Sequence, residues 1–185
     1  MSVLTASAAL ICAIVLGQAA FSPSQPGPPV IQGKVTGYGI FGVSKETRKI
    51  IIKSQETPSG RSWAQFGLPI LMTPTNRVPA KMGVRFGIIY EINNVPNPDG
   101  LIILTKITRY PPIIKPNGTI SGGYTSFEEH RVKSGKVVGS TGFEFDHDYE
   151  LATGDWEFEI QFRGQTICKQ MFTVYKESLI MPKRL

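Results

Sequence analysis

The sequence predicts an all-β fold, an antiparallel sandwich of about seven to nine strands in a single domain, with a β-barrel as the alternative. Three observations carry this expectation. Nineteen glycines and fourteen prolines divide the 185-residue chain so often that no interval between them holds the three-and-four apolar spacing of a helix. The runs between the breakers are rich in Val, Ile, Thr, Tyr and Phe, which suit a pleated, half-buried surface. Short stretches of Pro, Asn, Asp and Gly join these runs, and each of those residues favours a reversal for its own steric or hydrogen-bonding reason.

The chain opens on MSVLTASAALICAIVLGQAAFS, which lacks Lys, Arg, Asp and Glu and carries an apolar run over residues 6–16. That run has the length of a signal-peptide core and is short for a membrane span. Small residues at Gly17 and Ala19 suit cleavage, so residues 1–20 are read as a leader. The mature chain is then exported, to the periplasm, cell envelope or extracellular space, with no stable transmembrane segment; a retained anchor is the alternative. Residues 21–29, FSPSQPGPP, carry four prolines and form an extended tether. The folded domain is expected over 30–176 and a frayed tail over 177–185.

Strands are expected near 30–43, 48–56, 68–73, 84–95, 101–110, 119–126, 136–145, 155–163 and 166–175. The clearest hairpin joins VRFGIIYEINNV to LIILTKITRY through PNPDG. At the C-terminus Trp156, Phe158, Ile160 and Phe162 alternate with Glu157, Glu159 and Gln161, which predicts an apolar inward face and a solvated outer one. A turn over 163–165 leads to the last strand, where Cys168, Phe172 and Val174 share one parity. Gln170 interrupts it, which predicts a bulge or register shift nearby.

Once the leader is removed, Cys168 is the one cysteine left, which excludes an intramolecular disulfide and a cysteine-rich zinc site. The net charge of +6 is concentrated upstream: residues 1–127 carry twelve Lys or Arg against four acids, and residues 128–185 eight against ten. This surplus suits ordinary solvated strand faces, or attraction to an anionic envelope polymer or lipid surface; another exported protein is the further candidate partner. No basic run interleaved with aromatics points to nucleic acid. The candidate surface contacts are Lys34, Arg48, Lys49 and Lys53 on the first strands, with Asn97 and Asp99 in the PNPDG loop.

Three stretches invite a chemical interpretation. GYGIFG at 37–42 matches G-x-G-x-x-G, but about two turns of helix fit before the next strand and no βαβ unit follows to hold a pyrophosphate, so its glycines are expected to permit a bulge or a close neighbour. The segment 144–159 gathers seven carboxylates in sixteen residues. As a strand it would spread them about 7 Å apart along one face, whereas calcium needs converging oxygens. His147, beside two aspartates, is the one acid–base candidate, and neither it nor His130 sits in a hydrolase motif. Asn117-Gly118-Thr119 is an acceptor sequon in an expected turn. No cofactor is expected.

DYELATGDWEFEI has Leu151, Gly154 and Trp156 in the L-x-x-G-x-aromatic order of the corner in immunoglobulin-like and fibronectin-type sandwiches, where the aromatic bonds nearby backbone. Together with GVRFGIIYEI, the PNPDG loop and the closing pair WEFEIQF and ICKQMFTV, the chain resembles a family of small exported bacterial domains known only as a domain of unknown function. The resemblance covers about 30–175 and implies an immunoglobulin-like fold. It supplies no site residues. The function expected is a non-catalytic binding or structural module; a carboxylate-dependent hydrolase using 144–159 and a calcium-stabilised adhesion module are the alternatives.

Overall fold

Strand Arg85–Asn93 shows why the chain builds two layers. Phe86, Ile88, Tyr90 and Ile92 fall on alternate positions and are all buried, so one face of the strand must be covered by another sheet. The computed structural model describes residues 30–42, 49–53, 57–59, 61–65, 67–96 and 98–177, with the backbone alone for 49–53 and 61–65. Residues 1–29, where a leader and a tether are expected, and residues 178–185 lie outside the described residues.

Eleven strands are described: β1 Gln32–Gly42, β2 Lys49–Lys53, β3 Arg61–Gln65, β4 Ile70–Pro74, β5 Arg77–Pro79, β6 Arg85–Asn93, β7 Leu101–Ile114, β8 Ile120–Arg131, β9 Val137–Glu144, β10 Gly154–Phe162 and β11 Gln165–Tyr175. Sheet one has the order β4-β1-β6-β9, sheet two the order β5-β11-β10-β7-β8, and β2–β3 is a separate hairpin. Pairing is antiparallel except between β5 and β11. Both sheets keep open edges, so the fold is a sandwich and not the alternative barrel.

The core lies between the sheets. Trp156 is fully buried, with the rings of Tyr110, Phe143, Phe86 and Phe145 centred 4.7, 4.8, 5.4 and 5.7 Å away. Its indole N–H donates to the Ala152 carbonyl at 3.0 Å, the local backbone bond expected of the corner. Phe86 continues the cluster to Phe158 and Phe172. Trp156, Phe158, Ile160 and Phe162 are all buried, as their parity predicts.

The nine expected strands are present, and the differences have local causes. β7 does not stop at Tyr110 but continues through Pro111 and Pro112. Its register with β8 jumps from Arg109↔Gly123 to Ile113↔Ser121, so a bulge absorbs the two residues that cannot donate to a ladder. β8 runs to Arg131, five residues past its expected end. β3 and the three-residue β5 were not expected; Val78 in β5 is nonetheless fully buried.

The bulge expected near Gln170 falls elsewhere. Gln170 pairs directly with Phe158, and the shift lies at Ile167, between the pairs Ile160↔Cys168 and Gln161↔Thr166. Cys168 is half-buried, and burial lifts its thiol to about 11. The turn itself is two residues, Arg163 and Gly164, both at positive φ, which matches the twist of the strands it joins. GYGIFG lies within β1. At Gly39, with φ of 144°, a Cβ would stand 2.1 Å from the Thr73 carbonyl oxygen, so the glycine admits strand β4 and no nucleotide loop is formed.

Because Trp156 touches ring clusters of both sheets, Trp156→Ala should lower unfolding free energy by about 3–5 kcal/mol. Urea denaturation measures this, and a loss below about 1 kcal/mol would contradict its central place.

Candidate functional site

On one side of the sandwich the two sheets end in strands that do not pair with each other, β8 of sheet two and β9 of sheet one. Between them lies a cavity of about 620 Å³, to whose lining Thr57, Ser59 and residues 67–69 also contribute. Its character comes from the inward face of β8. Register sets Tyr124, Ser126, Glu128 and His130 opposite Thr108, Lys106, Leu104 and Ile102, all buried positions of β7. Elsewhere such positions are apolar; here they are largely polar.

Lys106 reaches across the gap. Its ammonium donates to the Glu128 carboxylate and, at 2.8 Å, to the Ser140 carbonyl on β9. His130 Nε2 lies 3.3 Å from both the Tyr90 hydroxyl and Glu128 Oε1. Burial holds the His130 imidazole below its ordinary pKa, opposed by Glu128 and aided by the Lys106 charge. Burial, with the Glu128 charge, raises the Tyr90 phenol far above its ordinary value. At the other end Arg85 Nε and Nη2 both stand 3.0 Å from Glu144 Oε2.

The acidic segment 144–159 is divided between two places. Glu144, Asp146 and Glu150 border the cleft. Glu150 belongs to a one-turn 3-10 segment, Asp148–Glu150, and its Oε2 accepts the N–H groups of Asp146 and His147 at 2.8 and 2.9 Å. Burial raises its pKa against those two bonds. This carboxyl therefore clasps the chain as it turns into β10. His147 is exposed and stacks on Tyr149 outside that clasp.

Asp155, Glu157 and Glu159 instead occupy the outer face of sheet two, where an open solvated face was expected. Glu159 is only 5% exposed. Arg109 pairs with both glutamates, at 2.6 Å to Glu159 Oε2, while Gln161 Nε2 and the Thr166 hydroxyl donate to Glu159 Oε1. Burial alone would raise the Glu159 carboxyl, but the bonds from Thr166, Gln161 and Arg109 outweigh it and bring it down to about 2. Among the described residues no group of three or more His, Cys, Asp or Glu is gathered to hold a metal ion.

The candidate surface residues are not assembled into the cleft. Lys34 on β1 is exposed, with Nζ 3.4 Å from Glu91, which also pairs with Lys136. Asp99 accepts the Ser134 N–H at 3.4 Å. Lys49 and Lys53 bound β2, with side chains outside the described residues, and Arg48 and Asn97 lie outside them altogether. Sequence reasoning missed Lys106 and Glu128, and set His130 aside for want of a hydrolase motif. The signal was present: Lys106 shares the parity of Ile102 and Leu104, and Glu128 and His130 share that of Tyr124.

A family model described as a domain of unknown function, DUF3859, matches residues 30–174. No curated protein matches the chain. An immunoglobulin-like protein from Pseudomonas aeruginosa superposes with a TM-score of 0.54 at 18% identity, over 81% of this chain and 100% of that one. Two weaker likenesses are to the DNA glycosylase AlkC of Pseudomonas fluorescens bound to abasic-site DNA, with a TM-score of 0.38 at 8% identity, and to a β-glucosidase of Listeria innocua in complex with gluconolactone, at 0.36 and 11%. The first covers 54% of this chain and 27% of that one, the second 72% and 17%.

Since the folded carboxyl of Glu159 titrates near 2 and an unfolded glutamate near 4.3, its stabilisation is complete above the higher value and is lost as pH falls toward the lower. Urea midpoints should therefore drop more steeply between about pH 4.5 and 2.5 in the natural protein than in Glu159→Gln. Parallel profiles would contradict the assignment.

Proposed function

The chain belongs to the DUF3859 family, and from that premise we propose that it is an exported, non-catalytic binding module of the periplasm, cell surface or extracellular space, with the β8–β9 cleft as its ligand site. One observation carries this function: β8 turns Ser126, Glu128 and His130 inward and β7 adds Lys106, on faces that a sandwich serving stability alone would fill with apolar side chains. The Lys106–Glu128 pair, buried on the lysine side and half exposed on the glutamate side, contributes little net stability. The polar lining is better supported as a means of keeping the cavity open and wet.

Binding is favoured over catalysis because the charged groups are engaged with one another. Arg85 holds Glu144, Lys106 holds Glu128, and Glu150 is committed to backbone N–H groups. The thiol of Cys168, raised to about 11, is a poor nucleophile and lies on β11, away from the cleft lining. Of the two candidate partners, an anionic envelope polymer and another exported protein, the cleft favours the second. Its carboxylates Glu128, Glu144 and Asp146 outnumber Lys106 and Arg85, which disfavours an anionic polymer. Contact through Lys34, Arg48, Lys49, Lys53, Asn97 and Asp99 draws less support, since Lys34 is tied to Glu91 and Asp99 to Ser134.

Thermal shift with panels of synthetic peptides and soluble envelope glycans tests the cleft. At least one compound should raise the Tm of the natural protein. Ser126→Trp, which fills the cavity from β8, should remove that shift and keep cooperative unfolding. Equal shifts in both proteins, or none in either panel, would overturn the assignment.

A further inference from the structure

We propose that the occupant of the cleft is an extended polypeptide segment, added as a fifth strand to sheet one along the free edge of β9. This rests on the cleft being the ligand site. Among the described residues β9 has β6 as its one strand partner, and sheet one ends with it. The direction of its unpaired backbone is fixed by the bond from Lys106 to the Ser140 carbonyl, which points away from β6 and into the gap. In an antiparallel ladder the N–H and C=O of one residue leave on the same side, and that side alternates along the strand. Val138, Ser140, Gly142 and Glu144 therefore direct their amides outward, and all four border the cavity.

These amides recur about every 7 Å, the repeat of an extended polypeptide, whose own amides meet them in register. A sugar chain has no such matching series of donors and acceptors. Along β9 the charges nearest its outward amides are engaged as Arg85–Glu144 and Lys106–Glu128, which leaves backbone as the main recognition element there and favours a partner selected by shape and strand propensity. Side chains of the added strand have apolar neighbours at the rim in Val138, 45% exposed, and Phe127, 70% exposed.

Lys106 explains how an open edge is tolerated in the unliganded protein. An inward-reaching charge placed on an edge carbonyl blocks indiscriminate strand pairing. Strand addition replaces the ammonium at the Ser140 carbonyl with a peptide N–H, while Glu128 retains the lysine, so no charge is left unpaired.

The test uses a peptide of about twelve residues, taken from a random display library by selection on the natural protein and counter-selection on Ser126→Trp. Its synthetic, fluorescent form is measured by anisotropy, and two further forms carry N-methyl groups on alternate residues, one on each parity. One parity should lose at least about tenfold in affinity and the other should stay within about twofold. Ser140→Pro, which removes one outward N–H at an edge where proline is tolerated, should lose a similar factor with its Tm within a few degrees of the natural value. Equal losses for both parities, or none, overturn strand addition and leave the cleft assignment intact. Failure to select any cleft-dependent peptide overturns it too; a cleft-dependent glycan shift would then preserve the binding site, and its absence would remove both.

Discussion

Everything in this molecule depends on Trp156 being held between two sheets. The indole is too large to be covered by one layer, and its N–H must find an acceptor once it leaves water. The 3-10 turn before β10 meets the second need, delivering the Ala152 carbonyl at 3.0 Å. The first is met by rings from β6, β7, β9 and the residue after β9. With that contact set, β10 is fixed at the centre of sheet two, and β7 and β11 pair on either side of it. The edge strands follow from what is left.

The cleft is a consequence of how far this core extends. Near Trp156 the sheets are filled with aromatic rings, so they pack as a sandwich does. Toward the far side β8 offers Ser126, Glu128 and His130 in place of rings, and among the described residues no strand joins β8 to β9. Polar side chains there satisfy one another through Lys106, which draws β7, β8 and β9 together by hydrogen bonds where apolar packing does not reach. The same chain thus closes one side by hydrophobic burial and holds the other open by paired charge.

How much of this was legible in the sequence differs from element to element. The inward face of β10 could be read residue by residue, because two-residue periodicity with large apolar side chains admits one interpretation. β8 was cut short at Ser126, because SFEEHR has the composition of a surface. Its ladder with β7 continues regardless, held by backbone pairing with a strand that is itself buried. Pro111 and Pro112 resembled a strand end for the good reason that they cannot donate, and only the bulge reveals how they are accommodated. Nothing within LIILTKITRY marks Lys106 as a bridge, because its acceptor, the Ser140 carbonyl, is brought within reach only by the placement of β9. The cleft itself was invisible because β8 and β9, though close in sequence, border it from different sheets, and strand order is set by the whole core.

The short strand β5 has one more consequence. The chain passes from sheet one to sheet two across Thr75 and Asn76, and β5 then pairs in parallel with β11, with the Thr173 N–H donating to the Asn76 carbonyl at 2.8 Å. Val78 and Val174, nearly a hundred residues apart, are register partners and both are buried. During synthesis β5 therefore emerges long before β11, the strand it needs, and the Val78–Val174 contact cannot form until β11 has left the ribosome. The clasp between β5 and the rest of sheet two waits for a strand made nearly a hundred residues later, so termination before β11 would leave β5 without its partner.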